Sequence, residues 1–369
     1  MKNTGVDIAE VLTHFDFGGV VDPPNLYGAG LVNASYLVTA RGSGTGQRRY
    51  ILQRINTHVF TDPVALMDNI VHVTDHLRRV IAAEGGDPER ETMAVIPTMD
   101  GTWLHEATDG SFWRAIRFVE DTVVHQKAEP PAVFGKAAEA FGQFARRLDG
   151  FDPQTLHETI PHFHDTAARY QQFIRAVEQD RVGRAHSCVA QIEFARERAD
   201  QVSLLTDLRD AGSVPLRVTH NDTKLNNVLL DAHTGKGLCV IDLDTVMPGL
   251  IMTDFGDAIR YGANTVSEDE PDTSLVSLSL PLFEAFTQGY LSQIGSVLTS
   301  AEHDHLAWAA RIITFEQGLR FLSDYLDGDR YYPVNYAGHN LDRCRNQFAL
   351  LADLERHFDQ MRQIVDRWS

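Results

Sequence analysis

Residues 218–245 contain two apolar segments with polar side chains at their ends: Val218-Thr-His-Asn-Asp-Thr-Lys-Leu-Asn-Asn-Val-Leu-Leu230, then a turn, then Val240-Ile-Asp-Leu-Asp-Thr245. The apolar runs are typical of buried strands, and a turn of Asp, Thr and Gly residues separates them. If the strands pair as a hairpin, their ends meet. The acceptor oxygens of Asp222, Asn227 and Asp242 then lie close together.

These three side chains suit the parts of a phosphoryl-transfer site. Asn227 and Asp242 offer oxygen ligands without a thiolate or imidazole cluster, which favours magnesium over zinc. Asp222 is then free to orient and deprotonate an attacking hydroxyl. An isolated D-x-x-x-x-N is common in turns and means little by itself. Here an Asp at the end of an apolar strand follows twenty residues after Asp222, which makes the pattern more specific.

The flanking sequence predicts two lobes. Strands at 31–39 and 49–55 enclose Gly42, Gly44 and Gly46, a helix begins at Pro63, and two short strands follow. After Asp121 the pattern changes to long amphipathic helices. We expect these helices at 131–148, 163–179, 192–209, 279–298, 301–326 and 341–368. The predicted fold class is α+β, with a β-rich lobe at 1–117, a hinge at 118–121 and a larger, mainly helical lobe at 122–369.

Composition excludes several classes of function. The 369 residues include 51 Asp and Glu against 33 Lys and Arg, a net charge of -18, so nucleic acid is not an expected partner. The three cysteines are odd in number and far apart, which argues against disulfides or structural zinc. No run of 18 apolar residues or signal peptide is evident. We expect a soluble cytoplasmic protein with no membrane partner, and favour a monomer.

The motifs resemble a known family. His220, Asp222 and Asn227 match the H-x-D-x-x-x-x-N loop of the aminoglycoside phosphotransferase and choline kinase family, whose fold is related to that of protein kinases, and residues 241–244 resemble its metal-binding strand. Within that family, several segments are similar to the N-acetylhexosamine 1-kinases. These segments are 27–30, 49–53, 216–227, 241–245, 254–257 and 320–329.

The resemblance implies a two-lobed, protein-kinase-like enzyme. Its expected reaction is phosphorylation by ATP of the anomeric C1 hydroxyl of N-acetylglucosamine or N-acetylgalactosamine. Asp222 would be the catalytic base, and Asn227 and Asp242 would bind one or two Mg²⁺ ions. His220 is expected to brace the loop through its ring nitrogens, and Asp254 and Asp257 to support the same loop. The sequence leaves the preferred epimer and the nucleotide open.

A nucleotide site is predicted in the first lobe. Gly28 and Gly30 fit a strand-turn-strand loop in which backbone amides approach phosphates, although a plain hairpin turn explains them equally well. The resemblance implies a lysine that pairs with phosphate on the following strand, and that strand has none. If the register of the related kinases holds, side-chain alternation puts Gln53 at the lysine position, and Arg54 takes it if the register slips by one residue. The hinge residues Phe118, Val119 and Glu120 are expected to bind adenine through backbone groups.

The acceptor pocket is assigned through the same resemblance. It implies that Thr245, Tyr261, Arg320 and Tyr331 line the pocket and hydrogen-bond the sugar. The alternatives are core packing for Tyr261 and an ion pair with Asp324, one helical turn away, for Arg320.

Two other functions remain open from the sequence. The first is a kinase of the same fold that phosphorylates homoserine, a choline-like amino alcohol or an aminoglycoside. The second is a protein that binds nucleotide without catalysis, which the missing strand lysine suggests. Retention of Asp222, Asn227 and Asp242 argues against the second.

Overall fold

The N-terminal lobe is built on one antiparallel sheet. The computed structural model describes residues 7–28, 32–42 and 46–368. In these ranges the strand order is β1-β3-β4-β7-β5, with β2 paired to β3 and β6 paired to β7. The strands are β1 (Val20–Val21), β2 (Asn25–Leu26), β3 (Ala34–Arg41), β4 (Gln47–Arg54), β5 (Val95–Ile96), β6 (His105–Glu106) and β7 (Phe112–Arg117). The predicted hairpin is present as β3 and β4, with Ala34 opposite Arg54.

Two helices accompany this sheet, α1 (Ile8–Leu12) and α2 (Pro63–Ala83). Helix α2 begins where the sequence predicts, because Asp62 accepts a hydrogen bond from the Ala65 amide and a proline occupies the first turn. The helix buries an apolar face against the main core. Asn69, fully buried on α2, donates to the carbonyl oxygens of His157 at 2.8 Å and Val246 at 3.0 Å. This amide therefore ties α2 to the second lobe.

Short strands form the centre of the second lobe. They are β8 (Thr122–Val123), β9 (Arg217–Thr219), β10 (Val228–Asp231), β11 (Gly237–Val240) and β12 (Met247–Gly249). Strands β10 and β11 form the predicted hairpin, with Val228 opposite Val240. Strand β8 pairs with the far end of β10, and β9 pairs with β12. The chain thus enters the second lobe directly after the crossover and joins the hairpin whose ends carry Asn227 and Asp242.

Helices make up the rest of the second lobe. They are α3 (Pro131–Arg147), α4 (Thr166–Gln179), α5 (Val189–Arg196), α6 (Leu204–Asp210), α7 (Ile251–Gly262), α8 (Leu280–Ile294), α9 (Ser300–Asp304), α10 (Leu306–Asp327), α11 (His339–Arg356) and α12 (Phe358–Arg367). In the part of the chain that the structure describes, none of the helices is long and apolar enough to cross a membrane.

Three expected helices are each divided in two, so these predictions were wrong in extent. The helix expected at 192–209 is interrupted at 197–203, where a mostly polar segment has little apolar surface to bury. The helix expected at 301–326 is broken at His305, whose ring nitrogen bonds the carbonyl oxygen of Ala301 at 2.7 Å. The helix expected at 341–368 breaks at His357, whose ring nitrogen lies 2.9 Å from the carbonyl oxygen of Asp353.

Helix α7 packs very closely on α10, and this contact positions the residues that support the site. A Cβ atom on Gly256 would lie 2.6 Å from the carbonyl oxygen of Ala309, closer than packing allows. Glycine therefore lets the two backbones approach. Asp254 and Asp257, on the same helix, are both buried. The structure thus has the predicted α+β architecture, a sheet lobe joined to a larger helical lobe, with α7 beneath the loop between β9 and β10.

Candidate active site

Asp222, Asn227 and Asp242 are brought together at the ends of β9, β10 and β11. The Asn227 amide nitrogen donates to the backbone oxygen of Asp222 at 2.8 Å and to its carboxylate at 3.1 Å. The amide of Ile241 donates to the carbonyl oxygen of Asn227 at 2.9 Å, which holds the start of the 242–245 turn beside it. Because the side-chain nitrogen of Asn227 faces Asp222, the side-chain oxygen Oδ1 of Asn227 is the atom suited to bind a cation.

Two buried carboxylates on α7 hold this loop from below. Asp254 accepts hydrogen bonds from the amides of His220 at 2.8 Å and Asn221 at 2.7 Å. Asp257 accepts one from the amide of Thr223 at 3.1 Å. Asn221 adopts the left-handed conformation at φ 63°, which a tight loop of this kind requires. The loop geometry is therefore set by the packing of α7.

His220 supports the loop from inside. Its Nε2 atom lies 2.9 Å from the carbonyl oxygen of Ile241, and its Nδ1 atom is 3.2 Å from the amide of Asp222. A carbonyl oxygen can only accept and an amide can only donate, so the ring is neutral with its proton on Nε2. A fully buried imidazole in this state links the two strand ends and is not available as a base.

Lys224 is a site residue that the sequence analysis missed. Its ammonium nitrogen lies 2.7 Å from Asp222 Oδ1. Burial raises the pKa of Asp222, but the Lys224 ammonium and the Asn227 amide together outweigh this effect and hold the pKa below its usual range. The carboxylate is therefore ionised at neutral pH. The position of Lys224, two residues after Asp222, was the signal that could have identified it.

Asp242 occupies a strained position at the mouth of the hairpin. Its backbone is left-handed at φ 62°, which is unusual for a residue other than glycine. The residue is exposed to solvent. Partial desolvation by the surrounding loops, together with the nearby carboxylates of Asp244 and Asp222, raises its pKa to about 7. Negative charge is thus concentrated at a point where a cation would relieve it.

This donor set fits a magnesium ion that is completed by phosphate. Across residues 7–28, 32–42 and 46–368 no cluster of three or more His, Cys, Asp and Glu side chains could hold a metal without other ligands. Mg²⁺ is commonly held by one or two carboxylates plus phosphate oxygens and water. The Asn227 oxygen and the Asp242 carboxylate suit that arrangement.

The residues predicted for nucleotide binding lie in different surroundings. Gly28 has φ +72° and its Cβ position is open, while Gly30 lies outside the described residues. The Gln53 side chain donates to Ser35 Oγ at 3.0 Å and accepts from Arg114 Nε at 2.9 Å. Arg54 pairs instead with Asp109, at 3.5 Å. Gln53 is thus engaged with a neighbouring arginine that the sequence analysis did not select.

The crossover between the lobes is partly enclosed by side chains. The Arg49 guanidinium covers the Phe118 ring at 4.2 Å and forms an ion pair with Glu120. Tyr27 meets Phe118 edge to face, with centroids 5.9 Å apart. Val119 is buried, and its carbonyl oxygen accepts a hydrogen bond from Thr122. These contacts give the segment a defined backbone course.

Two of the predicted acceptor residues lie beside the loop between β9 and β10. The Thr245 hydroxyl donates to the carbonyl oxygen of His220 at 2.6 Å, so it already has a partner within the loop. Tyr261 is partly buried, and its ring centroid is 5.8 Å from the Lys224 ammonium. Burial raises the pKa of the Tyr261 hydroxyl, which keeps it protonated as a hydrogen-bond donor.

The other two lie on α10 and in the loop after it. Arg320 Cζ is 6.0 Å from the Tyr331 ring centroid and 5.6 Å from that of Tyr332, and its guanidinium donates to Gln317 at 3.1 Å. Asp324, the alternative partner of Arg320, instead accepts three backbone hydrogen bonds from residues 330–332. Asp324 thus shapes the loop that presents Tyr331, which is 57% exposed.

A buried pair adjoins this region and was also missed. His164 Nδ1 lies 3.0 Å from Glu316 Oε1, and His164 Nε2 lies 3.3 Å from the carbonyl oxygen of Asn221. Burial lowers the pKa of His164, but the Glu316 carboxylate outweighs it and raises the pKa above its ordinary value. The pair joins α10 to the loop between β9 and β10. Its two residues are 152 positions apart in the sequence, so no local sequence pattern predicts it.

Comparison with solved structures shows the same fold in several kinases. An aminoglycoside phosphotransferase from Alicyclobacillus acidocaldarius subsp. acidocaldarius is 14% identical, with a TM-score of 0.60 over 100% of this chain and 98% of that one. Spectinomycin phosphotransferase in complex with ADP and spectinomycin is 12% identical, with a TM-score of 0.58 over 96% of this chain and 100% of that one. A microcompartment-associated aminopropanol kinase is 17% identical, with a TM-score of 0.52 over 96% and 98%.

The comparison with protein families covers most of the chain. Residues 25–281 match the phosphotransferase enzyme family that is abbreviated APH. The match includes the β3–β4 hairpin, the crossover, the loop with Asp222 and Asn227, and the turn with Asp242. The fold, the site geometry and this match agree, and the chain belongs to the phosphotransferase enzyme family.

Proposed function

We propose that the protein is an ATP-dependent sugar kinase that phosphorylates the anomeric C1 hydroxyl of N-acetylglucosamine or N-acetylgalactosamine. The observation that carries the phosphotransfer is the juxtaposition of an ionised Asp222 with Asn227, which bonds it directly. The choice of an N-acetylhexosamine rests on the sequence resemblance of the segments around residues 216–227 and 320–329.

In the proposed reaction the C1 oxygen forms a bond to the γ-phosphorus of ATP. The bond from that phosphorus to the bridging oxygen breaks, and ADP leaves with its electron pair. The hydroxyl proton passes to Asp222. The transition state is largely dissociative, so the carboxylate serves mainly to hold the hydroxyl in line. An anomeric hydroxyl is more acidic than an ordinary alcohol, which suits a base whose pKa is low.

Asn227 and Asp242 would hold the magnesium ion. The ion would neutralise charge on the phosphates when it is bound with nucleotide. Lys224 adds a positive charge from the protein, within 2.7 Å of the base. Its ammonium group can contact a transferred phosphoryl group and the carboxylate together, because it has three donor directions.

The charges around the acceptor side favour a neutral substrate. The carboxylates there already have partners: Glu316 with His164 and Thr166, and Asp257 with Arg260. A cationic amino alcohol or aminoglycoside would instead need an unpaired carboxylate. Arg320 and Tyr331 offer hydrogen-bond donors that suit hydroxyl groups and the carbonyl oxygen of an acetamido group.

The proposed function also gives each lobe a binding role. Residues 1–117 would bind nucleotide, 118–121 would be the hinge, and 122–369 would hold the acceptor. The backbone of Phe118, Val119 and Glu120 would bind adenine, and Gly28 would let the loop approach the phosphates. Closure of the lobes would exclude water from the transferred phosphoryl group.

The test is release of ADP by the purified protein with ATP and Mg²⁺. The acceptors to compare are N-acetylglucosamine, N-acetylgalactosamine, glucose, galactose, homoserine, choline and kanamycin, with the phosphate position read by phosphorus NMR. We expect turnover with the N-acetylated sugars and an anomeric phosphate product. Turnover only with an amine-bearing acceptor would replace the sugar by that substrate. ADP binding without turnover on any acceptor would favour the non-catalytic alternative.

A further inference from the structure

We propose that Arg114 supplies to the nucleotide phosphates the positive charge that position 53 of strand β4 lacks, and that Gln53 positions Arg114 for this role. The inference rests on the proposed function, because it assumes that nucleotide binds between the lobes. It assigns a function to a buried cation that the sequence motifs do not include.

The first observation is that the usual source of charge is missing. Strand β4 reads Gln47-Arg-Arg-Tyr-Ile-Leu-Gln-Arg54 and contains no lysine, and α2 contains no glutamate to pair with one. Gln53 occupies the position that strand alternation assigns to phosphate pairing. A neutral amide there leaves the nucleotide site short of one positive charge.

The second observation is the sheet register. Gln53 on β4 lies directly opposite Arg114 on β7. Arg114 Nε donates to Gln53 Oε1 at 2.9 Å, and the amide nitrogen of Gln53 donates to Ser35 at 3.0 Å. Two hydrogen bonds thus fix the Gln53 amide, and its oxygen fixes the plane of the guanidinium. The charge absent at position 53 of β4 is present on the residue opposite it, on the adjacent strand β7.

The third observation is where the guanidinium lies. Arg114 NH1 is 2.5 Å from Asp244 Oδ1, which is two residues after the candidate metal ligand Asp242. The other Asp244 oxygen accepts from the Asn33 amide at 2.6 Å. Arg114 and Asp244 are 1% and 5% exposed at their side chains, so this pair joins the two lobes at the level of the metal site.

Burial of the Arg114 guanidinium costs free energy of folding, which suggests that the arginine is retained for a function. Removing a guanidinium from water carries a penalty that an ion pair only partly offsets, and apolar residues often replace such pairs without loss of stability. The neighbours of Arg114 on β7 are the fully buried Trp113 and Ala115, so an apolar residue would fit the strand pattern. Arginine also presents five donors in a fixed fork, which matches phosphate oxygens. Gln53 engages Nε, and Asp244 and Met67 engage NH1, which leaves the NH2 donors to face an anion.

The experiment measures nucleotide binding without an acceptor. Isothermal titration of MgADP and of adenosine is compared for the wild type, Arg114→Gln and the control Arg147→Gln, with thermal unfolding of each. Arg147 is a matched control, because it is also a buried arginine in ion pairs. It is 7% exposed and pairs with Glu84 and Glu91, away from the site. Adenosine carries no phosphate, so it reports the adenine site alone.

We expect Arg114→Gln to weaken MgADP binding about tenfold or more and to leave adenosine binding within about twofold, since a charge-assisted hydrogen bond to phosphate is lost. Arg147→Gln should change neither affinity. Unchanged MgADP binding, or equal weakening of MgADP and adenosine, would overturn the inference. If Arg114→Gln does not fold, Arg114→Lys decides by the same criterion. A lysine can pair with Asp244 but cannot hold Gln53 and a phosphate in one plane.

A second arm tests charge placement. The double variant Gln53→Lys with Arg114→Gln places a cation at position 53 of β4. It should recover most of the MgADP affinity that Arg114→Gln loses, and no recovery would count against the inference. Failure of the wild type to bind MgADP would overturn the proposed function together with this inference. Wild-type binding and turnover with insensitivity to Arg114→Gln would overturn the inference alone.

Discussion

The ammonium nitrogen of Lys224 lies 2.7 Å from Asp222 Oδ1, so the candidate base and a cation share one loop. The other carboxylate oxygen accepts from Asn227 at 3.1 Å. Burial lowers the pKa of Lys224, but the carboxylates of Asp222, Asp257 and Glu268 outweigh it and raise the pKa above its usual range. The cation therefore stays charged, and it keeps Asp222 ionised and oriented before any substrate arrives.

The first prediction concerns Asp222→Asn. The amide cannot accept the hydroxyl proton, so turnover should fall roughly 10² to 10⁴-fold. MgADP affinity and the unfolding temperature should stay close to those of the wild type, since Asn keeps the size of the side chain. Steady-state kinetics and calorimetry measure both. Near-normal turnover would remove Asp222 from the role of base.

The second prediction concerns Asp242→Ala. Loss of this carboxylate removes one of the two proposed protein ligands, so activity should fail and raised Mg²⁺ should restore little of it. Titration with ADP gives the control: MgADP should bind more weakly than to the wild type, while ADP with a chelator should bind equally to both. Full restoration by magnesium would mean that another side chain is the principal ligand.

The third prediction concerns Arg320→Lys. The guanidinium is held by Gln317 and by aromatic rings that a lysine would not engage in the same way, so the KM for the sugar should rise about tenfold while the KM for ATP stays the same. Arg330→Lys, an exposed change in the following loop, is the matched control and should leave both constants unchanged. A selective rise in the KM for ATP would contradict the assignment.

The fourth prediction concerns pH and the pair of His164 with Glu316. Because the folded-state pKa of His164 is raised above the ordinary value of about 6.5, folding favours the protonated ring. The stabilisation is fully present below about pH 6.5 and is lost as the pH rises through the folded-state pKa. Glu316→Gln should cost about 1.5 to 3 kcal/mol at low pH and less at high pH.

Thermal unfolding from pH 5.5 to 9 checks this dependence. His162→Gln is the control, because that ring is 65% exposed and its contact with Asp165 lies at the surface. The control should show a small effect at every pH. A difference between the wild type and Glu316→Gln that grows with pH would contradict the predicted sign.

Much of the site was predictable because it is local. Asp222 and Asn227 are five residues apart in one loop, and Asp242 follows across one hairpin whose turn and apolar strands are evident in the sequence. Helix α2 was predictable for a similar reason, since its cap and its apolar face lie within the helix itself. The bounds of the long helices were less predictable, because breaks such as the one at His305 depend on single side-chain contacts with the backbone.

The position of Arg114 beside Gln53 was not predictable. Gln53 and Arg114 are 61 residues apart, and Asp244 is a further 130 residues along. Alternation along β4 identifies the face that Gln53 occupies but not the residue opposite it. Only the register between β4 and β7 places Arg114 there.

By itself, the sequence determined a sheet lobe followed by a helical lobe and the cluster of Asp222, Asn227 and Asp242, because periodicity, turns and short hairpins act over a few residues. The tertiary structure decided which charges surround that cluster. Ion pairs such as Arg114 with Asp244 and His164 with Glu316 join segments that are far apart in the chain. Burial makes such pairs strong or costly, and burial is a property of the packed molecule rather than of any segment.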